Sequence, residues 1–156
     1  VDRAALEVAR ALSIPYGGWC PRGGWAEDFP DPPGVLARYP LLLETPLADP
    51  AQRTQWNIRD SDAVLIIMPA AAAAVSKGTD LARQCAERAG KPLLAVALDD
   101  PAAAGRTTAW LEGFAAARDA RNPLALGIGG PRESEAPGIC QRAVEFLRQA
   151  LRPAAI

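Results

Sequence analysis

The segment Gly129-Gly130-Pro131-Arg132-Glu133-Ser134-Glu135-Ala136-Pro137-Gly138 sets glycines, an arginine and a hydroxyl between a short apolar run at 124–128 and a helical pattern that begins near Ile139. Glycines let backbone come close to a ligand. The free N–H groups of a helix start and the Arg132 guanidinium can share one oxyanion. Gly130 can add a backbone donor, and Glu133 and Ser134 can read ligand donors or hold Arg132. An ordinary strand-to-helix turn with a charged rim is the other reading of the same residues. Ser76-Lys77-Gly78-Thr79-Asp80 repeats the theme: one of only two lysines, a glycine and a threonine open a second helix after a strand. That combination suits a phosphate or oxyanion, although Ser76 or Thr79 could simply cap the helix. The segment lacks the G-x-x-x-x-G-K-[ST] order of a nucleotide-binding P-loop and the G-x-G-x-x-G order of a dinucleotide fold.

A third loop, 17–28, carries Arg22 and Gly23 among turn-forming residues, with Trp19 and Trp25 able to stack on a flat ring or to cap the core. Asp99-Asp100 could bind a metal with water or a ribose hydroxyl, although solvated turn residues are the more common case, and Asp60-Ser61-Asp62 is equally ambiguous or could hold loop backbone.

The elements that must position these loops alternate. Residues 2–13 have helical spacing at Ala5, Val8, Ala9 and Leu12, and 14–19 look like a short strand. Residues 20–48 are rich in Pro and Gly and weakly periodic, the pattern of a functional excursion. Asp49-Pro50-Ala51-Gln52 is a strong helix start, and that helix should run to about Asp60. Residues 63–68 form a continuous apolar run, as in a strand covered on both faces. Helix 78–89, strand 93–98, helix 107–118, strand 124–128 and a final helix complete the order. Such alternation implies an α/β fold: a doubly wound, mostly parallel sheet flanked by helices, here one domain over 1–156. Ligands of such sheets sit beyond the carboxyl ends of the strands, where all these loops fall.

Bulk composition narrows the function. The net charge is −1, with fifteen Arg and two Lys, so no global field favours nucleic acid or an anionic membrane. The chain has no His, which removes Ser-His-Asp and Cys-His machinery and the commonest metal ligand. Cys20, Cys85 and Cys140 have no metal-ligand spacing, and Cys85 and Cys140 should be buried thiols. An odd cysteine count points to a reducing cytoplasm. Nothing reads as a signal peptide or as roughly eighteen continuous apolar residues. The opening at Val1 rather than Met reads as a trimmed product or a fragment.

Val1-Asp2-Arg3-Ala4-Ala5-Leu6, Gly17-Gly18-Trp19-Cys20-Pro21, Ala26-Glu27-Asp28, Arg38-Tyr39-Pro40, Glu44-Thr45, Gln52-Arg53-Thr54, Trp56-Asn57, Arg59-Asp60-Ser61-Asp62, Gly78-Thr79 and 130–139 together, and in order, resemble the molybdenum cofactor carrier proteins. That family sits in a wider Rossmann-like group with the cytokinin-activating LOG proteins and DprA. The resemblance implies a doubly wound fold, a homo-oligomer (dimer or tetramer), and carriage of molybdenum cofactor (molybdopterin) or molybdate rather than catalysis. It implies molybdoenzymes or cofactor-synthesis proteins as partners. Arg22, Lys77 and Arg132 would then meet anionic groups. Gly23, Gly78, Thr79, Asp80 and Gly130 would supply further contacts, and Trp19 a stacking face.

Two departures matter. Family members have a first strand and a Gly-Gly-Gln-Thr-Gly turn directly before the first helix, so a sheet with its first strand missing from this chain is expected. They also have two glycines before the threonine, where this chain has Lys77-Gly78. The alternative is a LOG-like hydrolase of nucleoside monophosphates, or another nucleotide-binding protein, with Asp80 as the acid. A DprA-like nucleic-acid module is disfavoured by the charge balance. Trp56 and Trp110 on amphipathic helices could serve an oligomer interface or the core.

Overall fold

The computed structural model describes residues 1–71, 73–117 and 123–151. Among them five α-helices and five strands follow in the order α1 (Asp2–Ala11), β1 (Trp19–Cys20), β2 (Leu43–Glu44), α2 (Pro50–Asp60), β3 (Ala63–Met68), α3 (Lys77–Arg88), β4 (Leu93–Ala97), α4 (Ala103–Ala115), β5 (Leu126–Gly129) and α5 (Ile139–Ala150). Every strand pairing is parallel, as the α/β reading requires. The strands form two sheets, β1-β2 and β4-β3-β5.

The central run behaves as its composition predicts. Leu65 and Ile67 face a core built with Val8, Val96, Ile139, Ala143 and Leu147. Val64 and Ile66 face the other way, onto Ile58, Ala82 and Ala86. Alternate residues of a strand point to opposite faces, so a wholly apolar strand needs cover on both. α1, α4 and α5 supply one layer, and α2 and α3 the other. A third cluster of Cys20, Val35, Tyr39 and Leu42 sits under the long loop.

Four expectations shift. The strand expected at 14–19 is reduced to Trp19–Cys20. Its N–H and C=O on the side away from β2 are met by the Asn57 amide, at 2.7 and 2.9 Å, so a side chain stands where a neighbouring strand would pair. The 20–48 excursion carries β2 and a short 3-10 turn, Gly34–Ala37. α4 begins at Ala103, directly after a turn in which Asp100 accepts from Ala102 N at 2.8 Å; the expected end at Arg118 lies outside the described residues. Cys85 and Cys140 are only half-buried at core margins, and Cys20 is the buried thiol, since it lies on β1 beneath the loop.

In the 60–62 turn, Ser61 and Asp62 hold backbone, while Asp60 takes the Trp19 and Arg59 side chains. Asp62 accepts from Ala125 N at 2.9 Å, and Ser61 Oγ donates to Ile58 O at 2.9 Å. No helix among the described residues is long and apolar enough to cross a membrane.

Candidate functional site

β3 has β4 on one side and β5 on the other, and the chain reaches them in opposite directions. The carboxyl ends of β3 and β5 therefore flank the topological switch point, where open parallel sheets bind ligands. The starts of α3 and α5 follow from those two strand ends.

Ser76 adopts an extended backbone and caps α3, its Oγ accepting from Thr79 N at 3.3 Å. The same oxygen lies 2.9 Å from Thr79 Oγ1, and Thr79 is buried. The Thr79 hydroxyl is therefore engaged inside the turn. Lys77 and Gly78 are exposed, and Lys77 makes no ion pair among the described residues. Asp80 accepts from Arg83 at 2.7 Å and from Gln84 at 2.5 Å. The Arg83 hydrogen bond holds its carboxyl below the usual carboxylate value. Both carboxylate oxygens of Asp80 are thus engaged by side chains of its own helix.

The loop into α3 is pinned from two sides. Asp99 accepts from Ala71 N at 3.3 Å, and Arg142 Nη2 donates to Pro69 O at 3.0 Å. Arg142 was not singled out from the sequence. A cation in the first turns of a helix opposes the macrodipole, and that mismatch was the available signal for a partner elsewhere.

The start of α5 is built differently. Gly130 passes so close to β3 that a Cβ there would lie 2.3 Å from Ile67 O. Its glycine is accounted for by packing. Arg132 N donates to Glu135 Oε2 at 2.8 Å, while its guanidinium lies 5.8 Å from the Trp25 ring centroid. Glu133 turns back onto the helix, accepting from Cys140 N at 3.0 Å and also from Gly138 N. Those two N–H groups hold its carboxyl below the usual value. Ser134 donates to Glu27 through both Oγ and its backbone N. The α5 terminus is thus occupied by the protein's own carboxylate. Beside it, a cavity of about 380 Å³ lined by Glu7, Glu133 and Cys140 has an acidic wall unsuited to an oxyanion.

The first loop divides. Arg22 is exposed and its N–H donates to Leu47 O at 3.1 Å. Gly23 N donates to Glu44 at 2.6 Å. Trp19 packs edge-on against Trp56 at 4.6 Å and donates its indole N–H to Asp60 at 2.7 Å. Arg59 covers the same rings, 4.6 Å from Trp56. Trp25 rather than Trp19 is the aromatic beside Arg132. The structure therefore joins Trp25, Glu27, Arg132 and Ser134 in one group. Arg22 and Gly23 sit against β2, and no hydrogen bond or ion pair among the described residues links either set to Lys77. Among those residues, no group of three or more His, Cys, Asp or Glu is placed to hold a metal ion.

Comparison with known proteins adds an independent line. Residues 1–151 match the model of the circularly permutated YpsA SLOG family. Among solved structures, the chain is similar to one described as a putative molybdenum carrier protein from Syntrophus aciditrophicus SB. The two share 33% identity over 97% of this chain and 88% of that one, with a TM-score of 0.79. No curated protein matches.

Proposed function

Because the chain belongs to the circularly permutated YpsA SLOG family, we propose that it binds and carries a small molybdenum-containing anion, molybdenum cofactor or molybdate. The observation that carries the reading is the α3 start. There Lys77, with no ion pair among the described residues, and the exposed Gly78 lie at a helix N-terminus beyond the end of the central strand. Helix-terminal N–H groups and an ammonium meet phosphate and oxo oxygens without proton transfer, which suits carriage. Lys77 and Gly78 would take the anionic group first, with Arg132 closing from the β5 side and Trp25 offering a ring face. The similar protein from Syntrophus aciditrophicus SB, described as a molybdenum carrier, supports the same cargo class. The reading includes a homo-oligomer in the cytoplasm, exchanging cargo with molybdoenzymes or cofactor-synthesis proteins.

The test is elemental analysis for molybdenum, with fluorescence of the oxidised pterin, on protein purified gently from a cofactor-producing host. Molybdenum and pterin near stoichiometry support a cofactor carrier. Molybdenum alone identifies a molybdate site. Neither, after incubation with both ligands, removes the reading.

A further inference from the structure

A cavity of about 310 Å³ opens between the last turns of α1 and the segment after the 3-10 turn, lined by Glu7, Arg10, Ala11, Arg38 and Tyr39. Tyr39 is completely buried, and its hydroxyl is the only buried side-chain polar atom without a hydrogen-bond partner among the described residues. Leaving such a group unmatched forfeits its hydration with nothing in return, so it requires an explanation. The charges acting on that hydroxyl are Arg38, Arg3, Glu7 and Arg10, and three of these four form the cavity wall. Burial raises the Tyr39 pKa, so the hydroxyl stays protonated and can donate.

The cations above it are also unmatched. The Arg10 and Arg38 guanidinium carbons lie 5.7 and 5.8 Å from the Tyr39 ring centroid. Arg10 Nη1 donates to the Arg38 carbonyl at 3.2 Å, which brings the two arginines together. Neither makes an ion pair among the described residues, whereas Arg3, on the same face of α1, is held by Asp28. The negative end of the α1 dipole explains one cation in this turn, but two full charges exceed that half-charge.

We propose that this cavity is a second anion site, for the phosphate monoester of a small hydroxyl-bearing molecule. Arg10 and Arg38 hold the phosphate, since guanidinium matches its oxygens in pairs. The Tyr39 hydroxyl donates from below, and the Glu7 carboxylate accepts from a ligand hydroxyl. The two arginines stand toward the far end of α1 from the sheet edge: Arg10 lies about 12 Å along the α1 axis from Asp2 at 1.5 Å per residue, and Val1, just before that start, packs against Gly130. Glu7 lies between, lining this cavity and the one beside the α5 start, so it is Arg10, Arg38 and Tyr39 that make the site separate from the molybdenum reading.

The experiment is a titration of the intact protein with ribose 5-phosphate and, separately, inorganic phosphate, read by calorimetry and by backbone amide shifts. Saturable binding that moves the Arg10, Arg38 and Tyr39 amides is expected, with ribose 5-phosphate the tighter probe. Arg10→Ala and Arg38→Ala should each weaken it about tenfold, equal to about 1.4 kcal/mol, and Lys77→Ala should not change it. Tyr39→Phe should weaken binding several-fold while the free protein unfolds at the same or a higher temperature. Equal affinity in Tyr39→Phe overturns the role of the hydroxyl. Absence of saturation at millimolar probe, or loss of binding in Lys77→Ala alone, overturns the site.

Discussion

The starts of α3 and α5 follow neighbouring parallel strands, yet they end in opposite states. At α3 a neutral hydroxyl, Ser76, caps the helix, and Lys77, with no ion pair among the described residues, stands beside it. At α5 a carboxylate, Glu133, already lies on the N–H groups. Ser76 meets one orphan donor, Thr79 N, and Glu133 meets Gly138 N and Cys140 N. At α3 the acid of the first turn, Asp80, is engaged by Arg83 and Gln84, whereas at α5 a carboxylate lies on the terminal N–H groups themselves. A glycine-rich turn before a helix is therefore no guide to anion binding until the fate of its nearest acid is known.

The glycines give the largest contrast. Gly130→Ala pushes a methyl into the Ile67 carbonyl and should cost about 3 kcal/mol or prevent folding. Gly78→Ala meets nothing within 4 Å and should gain up to about 1 kcal/mol from helix propensity. Urea unfolding of both variants measures the difference, and equal effects would erase the contrast. For ligand affinity, Lys77→Ala should weaken molybdate or cofactor binding about tenfold, or about 1.4 kcal/mol, and Arg132→Ala by less. The reverse order in calorimetry would make α5 the principal anion contact.

Ser76→Ala removes the α3 cap and should lower stability by about 1 kcal/mol. Thermal unfolding reads it, and no loss would mean that Thr79 caps the turn without help. The smallest effect is at Glu133. Its carboxyl is held low by Cys140 N and Gly138 N, so its contribution is present above the unfolded value of about 4.3 and fades as pH falls through the folded one. Glu133→Gln should flatten the acid limb of stability between about pH 5 and 3, and raise anion affinity at α5. An unchanged acid limb would show that the carboxylate contributes nothing to the helix start.

Much of the frame was legible in the residues themselves. The apolar run at 63–68, the Asp49-Pro50 cap and the helical spacing of α3 and α5 each report a local rule, and each element stands within a residue or two of expectation. β1 and the buried cysteine were not legible, because both depend on what packs over the 20–48 excursion rather than on local pattern. Arg142 escaped notice because its partner, the Pro69 carbonyl, is distant in the chain.

The sequence by itself determined the element order, the parallel sheet and the loops that meet its carboxyl edge, since hydrophobic period and capping residues act over a few positions. Only the tertiary structure decided which of those loops keep free donors. Glu133 folding back onto Gly138 and Cys140, Glu27 reaching Ser134 and Asp60 taking the Trp19 indole are choices among acids and donors. Charge sets their strength, but three-dimensional proximity alone selects the pairs.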